Sequence, residues 1–388
     1  VTADDVVIAG AGPAGSVAAL LLARAGARVR ILDRARFPRD KLCGDTLNPG
    51  AMARLDALGL AARVRSQALP VAGMIVTGPA GARIVGEYGC GVYGAALTRR
   101  TLDELLLDAA IAAGAVFEPD TAVCGPLLAG DGTTVTGVRI AGRTGERQLR
   151  SRVVVAADGR RSRLAFDLGL AACTRRPRRW AFGAYYTDVG GVTGCGEMHI
   201  RAGSYIGVAP LPGGLTNLCV VRELGSGGAA RADPQRVVQL AVASDPVLHE
   251  RFAAARRVTP VTVLGPLAVD AHAAGTPGLL LAGDAAGFID PMTGDGLRFA
   301  IRGAELAARC AFRELETGRS MHHELAAARR SEFAGKWRVN RMLRRLVASP
   351  RTVRIAASLA TVWETPVRSL IAIAGDVVTG TDSARTGH

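Results

Sequence analysis

Asp4-Asp5-Val6-Val7-Ile8-Ala9-Gly10-Ala11-Gly12-Pro13-Ala14-Gly15 decides the fold. Val6 to Ala9 is a short β-branched run with no alternating polar positions, which predicts a parallel strand buried on both faces. Residues 16 to 25 are rich in Ala and Leu and stop at Gly26, which predicts a helix with a glycine cap. Val29-Arg30-Ile31-Leu32-Asp33 then reads as the second strand of a βαβ unit. Gly10-x-Gly12-x-x-Gly15 therefore falls where a strand turns into a helix. Gly10 allows the tight turn, Gly12 lets backbone approach a pyrophosphate, and Gly15 lets helix and strand pack closely. The helix amides face the phosphates. Asp33, at the end of the second strand, accepts the hydroxyls of an adenosine ribose and repels a 2′-phosphate. NAD and FAD both present that ADP half, and the choice between them stays open at this point.

Outward from this unit, the pattern predicts a helix around 49 to 58, strand-like pieces at 71–77 and 82–85, and a helix over 101–113 ending at Gly114. Residues 134–157 read as a hairpin feeding the apolar strand Val153-Val154-Val155-Ala156. Between 178 and 223 the texture changes to short strands punctuated by glycine, at 180–187, 197–200, 204–209 and 215–221, which suit a separate antiparallel sheet. Gly278 to Ala282 is again a buried strand, and about 300–375 is helical. On residues 337–347, Val339, Met342, Leu343, Leu346 and Val347 are expected on one face, with Arg338, Arg341, Arg344 and Arg345 on the other.

At 388 residues and 49% hydrophobic, the chain can bury a full core. Its formal charge of +14 suits phosphates or an anionic surface. The arginines are dispersed and aromatics make up only 4% of residues, so a base-stacking surface, and with it a nucleic-acid partner, is not expected. Seven cysteines without C-x-x-C spacing indicate neither a disulfide framework nor a zinc site, and no metal is expected. No leader pattern or membrane-spanning stretch is evident, so a cytoplasmic location is expected.

Two further motifs choose the cofactor. With the phosphate loop they make residues 4 to 310 resemble the FAD-dependent aromatic hydroxylase (p-hydroxybenzoate hydroxylase-like) and geranylgeranyl reductase superfamily. The first is Val155-Ala156-Ala157-Asp158-Gly159-Arg160-Arg161-Ser162, similar to the family's Asp-Gly motif near the pyrophosphate. The second is Gly283-Asp284-Ala285-Ala286-Gly287-Phe288 with Pro291-Met292-Thr293-Gly294-Asp295-Gly296-Leu297. In the family this aspartate binds the ribityl chain, and the loop with its helix presents amides to the flavin. NAD has no ribityl chain, so the resemblance implies FAD. It also implies cofactor contacts from Pro13, Ala14, Arg34, Lys41, Cys43, Gly44, Arg99 and Val123. The segment Arg39-Asp40-Lys41-Leu42-Cys43-Gly44-Asp45 is similar to the Lys-x-Cys-Gly segment of the reductase branch, which in the family lies beside flavin and substrate.

The implied fold is α/β. A Rossmann-like FAD-binding domain of the p-hydroxybenzoate hydroxylase type (1–70, 98–172 and 262–320) is interleaved with an antiparallel β-sheet substrate domain (71–97 and 173–261). C-terminal helices follow (321–388). The implied activity is that of an FAD-dependent oxidoreductase on a hydrophobic small molecule. The halogenase segment Trp-x-Trp-x-Ile-Pro is missing, and Tyr205-Ile206-Gly207-Val208-Ala209-Pro210 keeps only the Tyr and Pro of the reductase branch's Tyr-x-Trp-x-Phe-Pro. A monooxygenase, hydroxylating or epoxidising a polyketide, lipid-like or aromatic molecule through an oxygen adduct at flavin C4a, is therefore expected. Reduction of C=C bonds in an isoprenoid or lipid is the alternative. Cys43 and Tyr205 are the candidate catalytic side chains, and the flavin carries the chemistry. NAD(P)H is the expected electron donor, with a partner reductase as the other source. The basic C-terminal helix is a candidate for peripheral membrane contact.

Overall fold

The computed structural model describes residues 4–42, 44–89, 91–143, 145–174, 178–224, 233–348, 352, 371–372 and 375–376. The chain opens with β1 (Asp4–Ala9), α1 (Pro13–Arg24) and β2 (Val29–Leu32). It leaves this unit for β3 (Gly73–Thr77) and β4 (Arg83–Glu87), and returns through α2 (Arg99–Ala112) to β5 (Val116–Glu118). Three strands follow as an antiparallel meander, β6 (Ala122–Leu128), β7 (Val135–Gly142) and β8 (Gly145–Ala156). The second excursion is β9 (Arg179–Thr187), β10 (Cys195–Arg201), β11 (Ser204–Leu211), β12 (Leu215–Glu223) and helix α3 (Pro234–Ala243). The chain comes home with β13 (Leu279–Leu281), then α4 (Gly296–Thr317) and α5 (His322–Ala348).

The first sheet has the parallel order β13-β8-β1-β2-β5. Its middle strands are apolar throughout because both faces are covered. Ile8 and Val155 pack with α1 and α4 through Val17, Leu20 and Ile301, whereas Val7, Ala9 and Val154 pack on the other side with Ile140 and Leu164. Each fully buried Ile, Leu or Val contributes about 1.5–3 kcal/mol. In register, Ala9 stands beside Leu32 and Ala156, and Ala156 beside Leu281. The turns after β1, β2, β8 and β13 therefore converge on one carboxyl edge, where ligands of open α/β sheets bind.

The second sheet runs β9-β12-β11-β10-β3-β4, antiparallel except for the β10/β3 pair. One face is covered by α3 and its neighbours through Phe182, Ile206, Val238 and Leu248. The other meets Met292 of the loop after β13, through Ala181, Tyr205 and Val221. Strand alternation thus turns one face of this sheet towards the ligand edge of the first.

Helix α5 sits differently on its neighbours from the sequence expectation. Val347 is buried and Leu343 half-buried as expected, but Met342 is 50% exposed and Asn340 only 3%. Arg344 is half-buried while Arg338, Arg341 and Arg345 are exposed; Leu346 lies outside the described side chains. The buried stripe is Phe333, Asn340 and Val347, one residue every two turns. Asn340 donates to the Asp290 carbonyl oxygen and to Thr293 Oγ1, both at 3.2 Å, and this polar requirement sets the helix rotation. No described helix is long and apolar enough to cross a membrane.

Candidate FAD and substrate site

At the phosphate loop, backbone packing leaves no choice of residue. A Cβ on Gly10, whose φ is +96°, would stand 2.5 Å from the Ala157 carbonyl oxygen. A Cβ on Gly15 would run into the Gly10 carbonyl oxygen. Gly12 is different, because a Cβ there meets only Arg39 Nη2, at 3.5 Å. Gly12 is thus bare without being crowded by protein, a cradle of the size a phosphate oxygen requires. Pro13 opens α1, where its missing N–H costs nothing. Asp33 accepts the amides of Ala11 (2.8 Å) and Ala35 (2.9 Å), which fix its carboxylate beside the loop. Arg34 stands exposed beyond it.

Asp158, beyond β8, is half-buried. Its Oδ2 accepts the Arg163 amide at 3.0 Å, while Oδ1 is buried with no hydrogen-bond partner among the described residues. Burial raises its pKa, and the nearby Asp33 adds to the shift. Such an orphaned oxygen is costly unless a ligand donates to it. Val123 is the second residue of β6, two beyond Thr121, whose amide bonds the Asp33 carbonyl oxygen at 2.8 Å. After β13, Gly283 has φ +59° and Asp284 is half-buried, while Gly294 and Gly296 have open space where a Cβ would stand. Ala14, the Asp158–Gly159 turn and the Gly283–Leu297 loops share this one edge.

Arg99 takes a different posture from a surface arginine. It is 3% exposed, at the first position of α2, and its fork clasps Asp103 with two bonds of 2.7 Å. Arg39 shares the same carboxylate at 3.2 Å and lies 4.7 Å over the Phe37 ring. Two guanidinium groups around one carboxylate leave a net positive charge next to Gly12. Arg39 was not singled out from sequence, and only its place two residues before Lys41 hinted at it. Lys41 is half-buried and Gly44 exposed; Cys43 lies outside the described residues.

Asp45 closes the segment that resembles the reductase branch, where the sequence gives it no role of its own. It is fully buried, with φ 41°, and accepts the Arg99 amide (3.0 Å) and Asn217 Nδ2 (2.5 Å). Burial pushes its pKa up to about 7, against the opposing hydrogen bond of Tyr185, the charge of Arg99 and the bond of Asn217. A single carboxylate thus joins the start of α2 to the second sheet.

Between the Pro291–Gly294 loop and that sheet lies a cavity of about 100 Å³. Its walls include Gly44, Val71, Met74, Met198, Gly207, Ala209, Met292 and Ile371. No Lys, Arg or His is among the described lining residues. The carboxylate there, Glu197, receives Arg251 through bonds of 2.6 and 2.8 Å and His199 at 2.9 Å. Burial would raise its pKa, but these partners together hold it below the ordinary range. Tyr205 is not a lining residue. Its hydroxyl donates to Asp290 at 2.5 Å, and Arg179 pairs with the other Asp290 oxygen at 3.1 Å. Asp295 is buried against Lys336 Nζ (2.7 Å) and Asn48 (3.1 Å), and burial raises its pKa despite the lysine.

The edge therefore offers a bare glycine turn, an acid fixed beside it, an orphaned acid and an open loop ahead of α4, with an apolar cavity next to it. The chain belongs to the FAD binding domain family. The match runs over residues 3–340. The chain is 27% identical to menaquinone reductase of Mycolicibacterium smegmatis, over 98% of this chain and 94% of that protein. It is 31% identical to digeranylgeranylglycerophospholipid reductase 2 of Methanopyrus kandleri, over 80% of this chain and 78% of the other. Among solved structures, a triple mutant of the flavin-dependent brominase Bmp2 superposes with TM-score 0.83 at 20% identity, covering 96% of this chain and 95% of the other. A geranylgeranyl bacteriochlorophyll reductase-like protein from Thermoplasma acidophilum gives 0.77 at 22%, covering 90% and 89%. These superpositions speak for the fold. The protein is an FAD-dependent oxidoreductase of the geranylgeranyl reductase and aromatic hydroxylase superfamily. Gly10, Gly12, Gly15 and Asp33 fit the ADP half of FAD, and Asp284 with residues 291–297 fits its flavin half.

Proposed function

We propose that this oxidoreductase reduces a carbon–carbon double bond in an uncharged, lipid-like molecule, with NAD(P)H as the source of electrons. The observation that carries this reading is the cavity beside the flavin loop: apolar walls, no cation among its described lining residues, and a carboxylate already neutralised by Arg251. A charged substrate would be stranded there, because burying an unpaired ion costs far more than its contacts return. Two of the relatives matched by sequence are named as reductases of menaquinone and of digeranylgeranylglycerophospholipid.

Bound FAD supplies the two-electron redox chemistry. The chain's part is to bind, orient and keep water out. Gly12 and Arg39 would receive the pyrophosphate and Asp33 the ribose. The Pro291–Gly294 loop, which lines the cavity, would separate the flavin from the substrate, and the apolar residues would exclude water from the reacting face.

A second reading, monooxygenation, is favoured by one feature. Gly207 and Ala209 stand where the reductase branch carries Trp and Phe, and both line the cavity, which opens it to a different shape of substrate. Turnover with the reduced protein separates the two. Substrate gaining two hydrogens under anaerobic conditions supports reduction. Substrate gaining an oxygen atom only in air, with no anaerobic product, overturns it.

A further inference from the structure

Tyr88 follows β4 and is only 6% exposed. Its amide is tied to the Ala72 carbonyl oxygen at 2.9 Å, and its ring packs with Val71, Leu211 and Ile371. Backbone and ring are therefore fixed, and the residue forms part of the cavity wall. The donor groups of the other buried polar side chains of that wall are engaged. Asn48 caps the Pro49–Ala57 helix through the Ala51 amide (2.9 Å) and donates to Asp295. Asn217 donates to Asp45, and Glu197 is held by Arg251 and His199. Thr293 accepts from Asn340. Thr46 is half-buried and keeps some access to solvent. The Tyr88 hydroxyl makes no hydrogen bond to any described residue.

A phenol nine-tenths buried in an apolar wall pays for its lost hydration unless something in the cavity accepts its proton. We infer that Tyr88 donates a hydrogen bond to an oxygen of the substrate, which is an apolar molecule bearing a carbonyl group. A carbonyl is a neutral acceptor that brings no donor of its own to be satisfied in the apolar wall. Burial, the negative charge of Asp295 and Cys195 push the Tyr88 pKa up to about 12, so the group remains a donor throughout the neutral range. This deepens the reading of an uncharged substrate in the same cavity and rests on it, but it concerns binding and not turnover.

The test uses the oxidised, FAD-loaded protein and two probes of one carbon skeleton, menadione and 2-methylnaphthalene, titrated calorimetrically. Only the first has carbonyl oxygens. Tyr88→Phe is expected to weaken menadione about three- to tenfold, the value of one net hydrogen bond, and to leave 2-methylnaphthalene and FAD content unchanged. Equal loss for both probes would make Tyr88 a packing residue, and no loss for either would mean that the hydroxyl faces no ligand; each overturns the inference. Failure of the unsubstituted protein to prefer menadione overturns it as well. Because no turnover occurs in this measurement, reduction of a double bond stands or falls separately on its products.

Discussion

Gly12 and Gly15 look alike in the sequence and do different work. The Gly15 position has no room for a methyl group because the Gly10 carbonyl oxygen fills it, whereas at Gly12 only the end of a flexible Arg39 side chain is near. Gly15→Ala is therefore expected to lower the melting temperature of the FAD-free protein by several degrees, while Gly12→Ala leaves it unchanged and weakens FAD binding by about tenfold or more. Thermal melts of both variants with and without FAD check this. Equal melting losses without FAD would refute the assignment of Gly12 to the pyrophosphate.

Asp45 gives the residue scale a pH dependence. Its carboxyl titrates near 3.8 in an unfolded chain and at about 7 when folded, so the folded state binds the extra proton between those values. The stability it contributes is fully present below about pH 4 and is lost as pH rises towards 7, by on the order of a few kcal/mol. Asp45→Asn should flatten that part of the curve. Urea unfolding at pH 5 and pH 8 of both proteins measures it, and an unchanged difference between the two pH values would count against a buried, protonated Asp45.

At the scale of elements, the loop from β13 to α4 is held from behind. Asp290 receives Tyr205 and Arg179 from the second sheet, and its carbonyl oxygen receives Asn340 from α5. Asp290→Ala leaves Arg179 buried and unpaired, and is expected to cost about 3–5 kcal/mol. Tyr205→Phe removes one hydrogen bond and is expected to cost about 1–2 kcal/mol while FAD still binds. Denaturant titration gives both values. A larger loss for Tyr205→Phe than for Asp290→Ala would contradict this hierarchy. Tyr205 was legible as important from its place before Pro210, but whether it faces ligand or loop depends on an aspartate 85 residues away, and no local pattern carries that.

The βαβ unit and both later motifs were readable because their signals are local: a strand's composition, a turn's glycines, an acid at a strand end. The short strands of the second sheet were readable to within a residue or two. Arg39, Asp45 and Tyr88 were not, because each is defined by neighbours far along the chain. Asp45 reads as one polar residue after Gly44, and only folding buries it against Asn217. The rotation of α5 was misread for a related reason. Periodicity ranks Met342 above Asn340 for burial, but Asn340 has partners waiting in the β13–α4 loop and Met342 does not.

For the molecule as a whole, three visits of the chain to the first sheet and two to the second place the carboxyl edge of one against a face of the other. The positive charge of +14 then favours a dinucleotide with two phosphates. The most direct test is titration of FAD-free protein with FAD and, separately, with FMN. Saturation at one FAD per chain, with FMN bound at least about tenfold more weakly for want of the adenosine that Asp33 and the phosphate loop address, is the expected result. Binding of FMN as tightly as FAD, or of neither, would contradict the site built on Gly12, Asp33, Asp158 and Asp284.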